Sequence, residues 1–218
     1  MEKGIVLFDR KRLVRLIVPL VVEQILAVTV GMADMVMASG AGEAAVSGIS
    51  LVNTICVLLI VVFSSLASGG SVVAAQYLGS GDKGTACHAA EQLVMICGIT
   101  ALAIGVFSFL GNRVILRLVY GAVEADVMNF AVTYFFITSL SFPFLGIYNA
   151  CAALFRVMGN SNISMIASLI MNVMNIIGNA VFVYVFYLGV AGVALSTLLS
   201  RFVSGAILLA LIHRPVYE

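Results

Sequence analysis

A small number of polar side chains interrupt otherwise apolar runs of this sequence, and these are the residues that could do chemistry. Glu23 and Asp34 lie within the first run, and Asn172, Asn175 and Asn179 lie within a later one. A carboxylate can bind a small cation or exchange a proton, and amide oxygens can complete an all-oxygen ligand set for a hard monovalent cation. These residue types therefore favour reversible cation or proton binding.

The spacing of these residues predicts which of them share a helix face. Glu23 and Asp34 are eleven residues apart, which at about 100° per residue places them within about 20° of one face and about 16 Å apart along the axis. The asparagines, at i, i+3 and i+7, form a single stripe. In the last apolar run the Thr197 hydroxyl shares a face with Arg201 at i, i+4.

The composition shows what kind of element must position these side chains. Hydrophobic residues make up 62% of the 218 residues, charged residues make up 10%, and the mean hydropathy is +1.17. That is more apolar surface than one soluble core of this length can bury. The runs show no sustained alternation of apolar and polar residues, which argues against a strand-built barrel. The sequence therefore predicts an all-α polytopic membrane protein.

Six apolar runs are predicted to be transmembrane helices, since a bilayer core about 30 Å thick requires about 20 apolar residues per span. They lie near residues 13–38, 49–77, 87–110, 127–152, 163–187 and 190–212, separated by turns rich in glycine. A basic cytoplasmic N-terminal segment, 1–12, precedes this six-helix lobe, 13–212, and residues 213–218 begin a cytoplasmic connection. Pro19 and Pro143 are predicted to kink the first and fourth spans.

The basic residues predict the orientation of the chain. Most Lys and Arg residues precede the first run, lie in the second and fourth loops, or follow the last run. Such an excess marks the cytoplasmic side, so both termini are predicted to be cytoplasmic, in a multi-pass protein of the plasma membrane.

Depth along the spans places one polar set in a common layer. With about 1.5 Å of rise per residue, Asp34, Asn179 and Thr197 lie about 6 to 12 Å inside the outer ends of their spans. If the first, fifth and sixth spans are neighbours, these three residues and Asn175 converge on a site for Na⁺ or a proton. The asparagines also have a purely structural interpretation, as interhelical hydrogen-bonding residues without any ligand.

Other polar residues at membrane depth have less specific roles. Glu23 and Arg201 both lie near mid-span, so one hypothesis joins them in an ion pair. Gln24 and Asn172 are further candidates for lining a cavity, with Glu23 and Arg201 as alternatives for the same role. Each of these residues is costly in hydrocarbon unless it is partnered or hydrated.

Several classes of function are not favoured. The four cysteines and two histidines have no metal-ligand spacing, so the only metal expected is Na⁺ at the convergent residues. No glycine-rich phosphate loop follows a strand, and no room exists for a soluble catalytic domain, so neither enzymatic activity nor a cofactor is expected. The first run is too long, and carries too many acids, for a cleaved signal peptide. A net charge of +1 does not predict a nucleic-acid partner.

Five segments, in this order and spacing, resemble a known family. They are Pro19 with Glu23-Gln24 and residues 31–34 (GMAD), residues 74–82 (AAQYLGSGD), residues 155–160 (FRVMGN), residues 175–179 (NIIGN) and residues 189–197 (GVAGVALST). This set resembles the N-terminal lobe of the multidrug and toxic compound extrusion (MATE) family, and the resemblance covers nearly the whole chain.

The resemblance implies a secondary active exporter of organic cations or drugs that exchanges them for Na⁺ or H⁺. Members of the family have twelve helices in two six-helix lobes. Asp34 matches the family's helix-1 acid, Asn175 its helix-5 asparagine and Thr197 its helix-6 hydroxyl. Asn179 departs from the pattern, because well-studied members have an aspartate there, which leaves one titratable group in this layer.

The chain supplies one lobe, so the resemblance also implies a partner lobe. This is either a missing C-terminal half or a second copy, and because six spans return to the starting side, the two lobes would have the same orientation. The expected partners are membrane lipid, a cationic small molecule and this lobe. Two alternatives remain open, a flippase for a lipid-linked precursor in the same superfamily and a non-transporting membrane subunit or truncated fragment.

Overall fold

The structure, a computed structural model, describes residues 10–213 and contains helices but no strand among these residues. The helices are α1 (Arg10–Ala38), α2 (Glu43–Gly79), α3 (Lys83–Tyr120), α4 (Ala125–Ser139), α5 (Phe142–Val157), α6 (Ser161–Ala180) and α7 (Gly189–Ile212). A 3₁₀ turn at Ser39–Ala41 follows α1, and a π-helical segment at Val181–Val185 extends α6. Most of the predicted basic segment, up to residue 9, and the predicted connection after residue 213 lie outside the described residues.

The described helices provide up to six membrane spans. Five of them, namely α1, α2, α3, α6 with its π-helical segment, and α7, are long and apolar enough to cross a bilayer. α4 and α5 meet the same criteria together, with a bend of 52° between them, and form the sixth span. The predicted all-α, six-span bundle is therefore confirmed.

The bend between α4 and α5 follows from Pro143, which lies in the first turn of α5. Proline has no backbone N–H, so the carbonyl four residues earlier, that of Ser139, receives no helical hydrogen bond. Gly105 of α3 packs directly onto this carbonyl, where a Cβ would lie 3.1 Å from the oxygen. The kink predicted at Pro143 is present, whereas α1 continues as one helix through Pro19.

The third helix is longer than the sequence indicated. The sequence places a break at Gly111, but α3 continues through it to Tyr120 and ends at Gly121, whose φ of +69° is accessible to glycine at little cost. The added turns carry Arg113 and Arg117, both exposed. Gly111 does not break the helix, because one glycine inside a helix costs only about 1 kcal/mol and the apolar residues 114–116 follow closely.

Helix neighbours determine where the polar residues meet. α1 packs chiefly against α6 and makes less extensive contacts with α2 and α7, while α6 packs extensively on α7. The opposite face of α1 exposes an apolar row, namely Val14, Val18, Val21, Ile25, Val28, Met32 and Val36. α1 therefore turns its two buried acids towards the other helices and turns its apolar row away from the bundle.

Small residues allow α6 and α7 to approach closely. A Cβ on Gly178 of α6 would collide with the Ser196 side chain of α7, and the Ser196 hydroxyl donates to the Asn175 carbonyl at 2.6 Å. Close approach at small residues is how helices commonly associate in membranes. This contact places the α6 asparagines directly beside Thr197.

Candidate cation-binding site

Asp34 lies at the centre of a polar cluster built by α1, α4, α6 and α7. Its carboxylate is 2% exposed. Oδ1 accepts a hydrogen bond from Asn179 Nδ2 at 2.7 Å, and Oδ2 accepts from the Tyr134 hydroxyl at 3.2 Å and from the Thr197 hydroxyl at 3.4 Å. All three donors are neutral, so none of them cancels the charge of the carboxylate.

A second tier of hydrogen bonds orients these donors. Asn175 Nδ2 donates to Thr197 Oγ1 at 3.1 Å, and Asn179 Nδ2 donates to Asn175 Oδ1 at 3.3 Å. Thr197 Oγ1 therefore accepts from Asn175, which leaves its own hydrogen directed at Asp34. The convergence of Asp34, Asn175, Asn179 and Thr197, proposed from depth alone, is what the structure shows.

Asn179 has one polar atom that the cluster does not satisfy. Its side chain is fully buried, and its Oδ1 has no hydrogen-bond partner among the described residues. A buried acceptor without a partner costs roughly 1 to 3 kcal/mol. Because this oxygen belongs to an amide already in contact with Asp34, rotation of the amide presents it to anything the carboxylate binds.

Tyr134 is a site residue that the sequence analysis missed. It is 1% exposed on α4, and besides Asp34 its hydroxyl contacts Asn53 Oδ1 of α2 at 3.4 Å. Tyr134 lies in an aromatic stretch with Phe135 and Phe136, where it is most simply interpreted as apolar packing. The available signal is that a buried tyrosine hydroxyl usually has a hydrogen-bond partner.

The proposed ion pair between Glu23 and Arg201 is not formed. Arg156, at the end of α5, approaches Glu23 with its Nη1 at 3.3 Å from Oε2, and the Tyr148 hydroxyl donates to Oε1 at 3.4 Å. Arg201 instead donates to the Ser141 hydroxyl at 2.8 Å, at the break between α4 and α5.

Depth explains this difference. Arg201 lies about one helical turn, or 6 Å, from Thr197 towards the end of the bundle where α1 begins, whereas Glu23 lies about 16 Å from Asp34 in the same direction. Because Thr197 and Asp34 are in contact, the other two residues are separated by roughly 10 Å of depth.

The remaining candidates occupy different surroundings. Gln24 is exposed on α1, on the surface of this lobe. Asn172 is 2% exposed, and its Nδ2 donates to the Ser168 carbonyl of its own helix at 2.8 Å rather than to Asp34. Among the described residues no group of three or more His, Cys, Asp or Glu side chains is arranged to hold a metal ion, so a cation at Asp34 would depend on hydroxyl and amide oxygens.

The fold agrees with a comparison against protein families. The family model MatE matches residues 19–181, which include Asp34, Asn175 and Asn179. The chain belongs to the MatE family of transporters. The match begins at Pro19 and spans α1 to the start of the π-helical segment.

Two relatives share sequence with this MATE chain over most of its length. An uncharacterized transporter of Bacillus subtilis, YisQ, is 28% identical over 202 residues, covering 91% of this chain and 44% of the relative. A probable multidrug resistance protein of Thermotoga maritima, NorM, is 26% identical over 212 residues, covering 94% of this chain and 45% of the relative. The chain thus spans about half the length of the curated relatives it matches.

Solved structures show the same fold. A MATE structure in the bent conformation matches with a TM-score of 0.87 at 22% identity, over 96% of this chain and 46% of that one. A MOP superfamily transporter from Pyrococcus furiosus, described as having a binding pocket of reverse polarity, matches with a TM-score of 0.86 at 23% identity, over 95% and 45%. The MATE chain described here therefore has the fold of about half of these transporters.

Proposed function

We propose that this chain is the N-terminal lobe of a secondary active exporter that moves organic cations or drugs out of the cell by antiport with Na⁺ or H⁺, coupled at Asp34. The observation that carries the proposal is a carboxylate 2% exposed at membrane depth whose hydrogen-bond partners are all neutral. An intramembrane carboxylate is costly, and since Arg201 acts on Asp34 only at longer range and forms no ion pair with it, the carboxylate attracts a cation or a proton.

Binding at Asp34 would replace one set of interactions by another. In the arrangement described, the carboxylate is held by N–H and O–H donors from Asn179, Tyr134 and Thr197. A bound Na⁺ requires oxygens instead, and rotation of the Asn179 amide supplies Oδ1, the atom without a partner. A proton on Asp34 would instead remove the charge that these donors stabilise. Either event changes what holds α1 to α6 and α7.

The transporter needs a second lobe, because the chain covers only 44% to 45% of its curated relatives. We call this chain together with that lobe, on one polypeptide or as a second copy, the assembled transporter. A cationic substrate would lie between the lobes, where the exposed Gln24 is a lining candidate. Both termini of this lobe are expected in the cytoplasm, and cysteine labelling from outside intact cells would overturn that topology if it modified either end.

The decisive experiment measures gradient-driven export by the assembled transporter in proteoliposomes. Asp34→Asn keeps the size and polarity of the side chain but removes its charge, so we expect insertion to survive and export driven by a Na⁺ or pH gradient to be lost. Asp126→Asn, the same change at an exposed acid of the first turn of α4, is the matched control and keeps parental export. Export by Asp34→Asn at the parental rate would exclude coupling through this lobe.

A further inference from the structure

A line of buried polar side chains runs along the whole of α6. It consists of Ser161, Ser164, Ser168, Asn172, Asn175 and Asn179, each 3% exposed or less. We call this line the α6 polar stripe. Its ends are 18 residues apart, or about 27 Å of helix, which is close to the thickness of the bilayer core. The proposed site at Asp34 uses only the outer end of the stripe.

The α6 polar stripe connects the two buried acids of α1. At the outer end, Asn179 contacts Asp34 at 2.7 Å. Towards the other end of the stripe, Ser164 is one of the polar groups near the Glu23 carboxylate, while its hydroxyl donates to the Ser161 carbonyl at 3.0 Å. The Tyr148 hydroxyl donates to Glu23 Oε1 at 3.4 Å and lies near Ser168. Carboxylates on one helix thus face the same polar line on its neighbour at two depths.

Several atoms of the stripe have unused hydrogen-bonding capacity. Ser161 Oγ, Asn172 Oδ1 and Asn179 Oδ1 are buried and have no hydrogen-bond partner within the part of the chain that the structure describes. Buried polar atoms are normally paired, and each exception requires an explanation. All three are oxygens, the atom type that binds a small hard cation or a hydrated proton.

Arg156 occupies the inner end of this line. Its Nη1 lies 3.3 Å from Glu23 Oε2, and its side chain is 24% exposed while that of Glu23 is 9% exposed. The charged and titratable groups facing Glu23 are Arg156 and Tyr148, both on α5, while α6 contributes the neutral Ser164. Arg156 is therefore a cation tethered at the cytoplasmic end of α5, bound where a free cation would otherwise bind.

We propose that Glu23 is a second binding site for the coupling cation, Na⁺ or H⁺, and that Arg156 is a tethered plug that closes the inner end of a cation path along the α6 polar stripe. The proposal rests on the cation-coupled function assigned to Asp34. When Arg156 leaves Glu23, the carboxylate accepts the cation arriving from Asp34 and passes it to the cytoplasm. When Arg156 returns, it displaces the cation and closes the path.

The test measures downhill cation flux through the assembled transporter in proteoliposomes without substrate, using a trapped pH dye for H⁺ and radioactive Na⁺ for Na⁺. Exposed ion pairs contribute little and buried ones much more, so for this partly buried pair we take a shift of about tenfold in the conformational equilibrium and expect Arg156→Gln to raise the flux by that factor. In the double variant Glu23→Gln with Arg156→Gln, the flux returns to the parental level because the carboxylate that carries the cation is gone. The ion whose flux changes identifies the cation.

A purely structural ion pair gives a different pattern. It predicts a loss of thermal stability in Arg156→Gln and in Glu23→Gln alone, a recovery of much of that loss in the double variant because neither charge is then unpaired, and parental flux in all three. Ser168→Ala, within the stripe, should slow the Arg156→Gln flux, whereas Ser108→Ala on α3, the same change at the same 3% exposure, should not. If Arg156→Gln does not fold, Arg156→Lys, which keeps the charge but cannot reach Glu23 in the same geometry, should raise the flux by a smaller factor.

Two outcomes separate this inference from the function it rests on. If Asp34→Asn abolishes gradient-driven export while the Arg156 and Glu23 variants keep parental flux, the path is wrong and the coupling at Asp34 stands. If Asp34→Asn exports at the parental rate, both proposals fail. A double variant that leaks as much as Arg156→Gln alone also overturns the path, because the flux then does not pass through Glu23.

Discussion

Replacing Asn179 by aspartate is the sharpest test of how Asp34 binds its cation. Asn179 Nδ2 lies 2.7 Å from Asp34 Oδ1, so Asn179→Asp places a second carboxylate against the first with almost no change in size. Two unit charges about 4 Å apart repel by about 4 kcal/mol at an effective dielectric constant of about 20. The pair therefore keeps one proton or one cation under conditions in which Asp34 alone is empty.

The second carboxylate should change the pH or the Na⁺ concentration at which export is half-maximal. In proteoliposomes containing the assembled transporter, we expect export by Asn179→Asp to survive and its pH profile to move upward by about 1 to 3 pH units, since about 1.4 kcal/mol corresponds to one unit. If Na⁺ is the coupling ion, half-maximal export shifts to a lower Na⁺ concentration instead. Asn149→Asp is the control, because Asn149 is similarly buried but donates to the Leu145 carbonyl of its own helix.

The refuting result is a folded Asn179→Asp protein whose pH and Na⁺ profiles both coincide with the parental ones. Asp34 would then not bind the coupling cation in contact with residue 179. A shift of equal size in Asn149→Asp would instead show that any added buried charge alters export, and the argument from proximity would fail.

Three further predictions use other parts of the structure. Thr197→Val removes the hydroxyl between Asn175 and Asp34 and should lower apparent cation affinity about tenfold, with recovery in Thr197→Ser. Gly48→Ala puts a Cβ 2.9 Å from backbone atoms of α4 and should reduce stability by about 1 to 3 kcal/mol, whereas Gly69→Ala on the same helix meets nothing within 4 Å and should not. The side-chain and backbone hydrogen bonds of Thr85 hold the pKa of Asp82 below its usual value. Asp82→Ala should therefore lower the free energy of unfolding at neutral pH. The difference between the two proteins should disappear as the pH falls through the lowered pKa of Asp82.

The fold was predictable because the bilayer imposes a simple rule. Each apolar run had to be a helix, and helix length follows from bilayer thickness. Bilayer thickness sets the minimum length of an apolar span but not the residue at which its helix ends. It therefore did not predict that α3 continues through Gly111. It also cannot distinguish a straight span from a broken one, and only Pro143 indicated the 52° bend between α4 and α5.

The candidate site was predictable in part for the same reason. Asp34, Asn175, Asn179 and Thr197 are polar residues that lipid would penalise, and their depths along three spans coincide. Tyr134 was not predicted as a site residue, because it lies among aromatic residues that pack in the apolar core and its hydroxyl alone contacts Asp34. The sequence analysis had no means of placing α4 against α7, which is the contact that brings this hydroxyl to the site.

Arg156 shows a different limit of the sequence analysis. As a cation beside a loop it supported the predicted cytoplasmic side, and nothing local indicated that its side chain turns back towards Glu23. The sequence instead suggested an ion pair between Glu23 and Arg201, because both are charged residues near mid-span. Ion pairs between distant helices depend on relative depth to within a few ångströms, and predicted span boundaries carry an error of that size.

The polar contacts of Asp34 and Glu23 attach α1 to the rest of the bundle at two depths. α1 packs mainly on α6 and exposes its opposite, apolar face. Its direct polar contacts with α4, α5 and α7 are made by the carboxylates of Asp34 and Glu23. A cation or proton at either carboxylate would therefore change how this one helix is held, while the main apolar core is formed largely by the other helices. α1 is thus the element through which ion binding in this lobe would change the surface offered to a second lobe, and the Asp34 and Arg156 variants should alter its position before they alter any other helix.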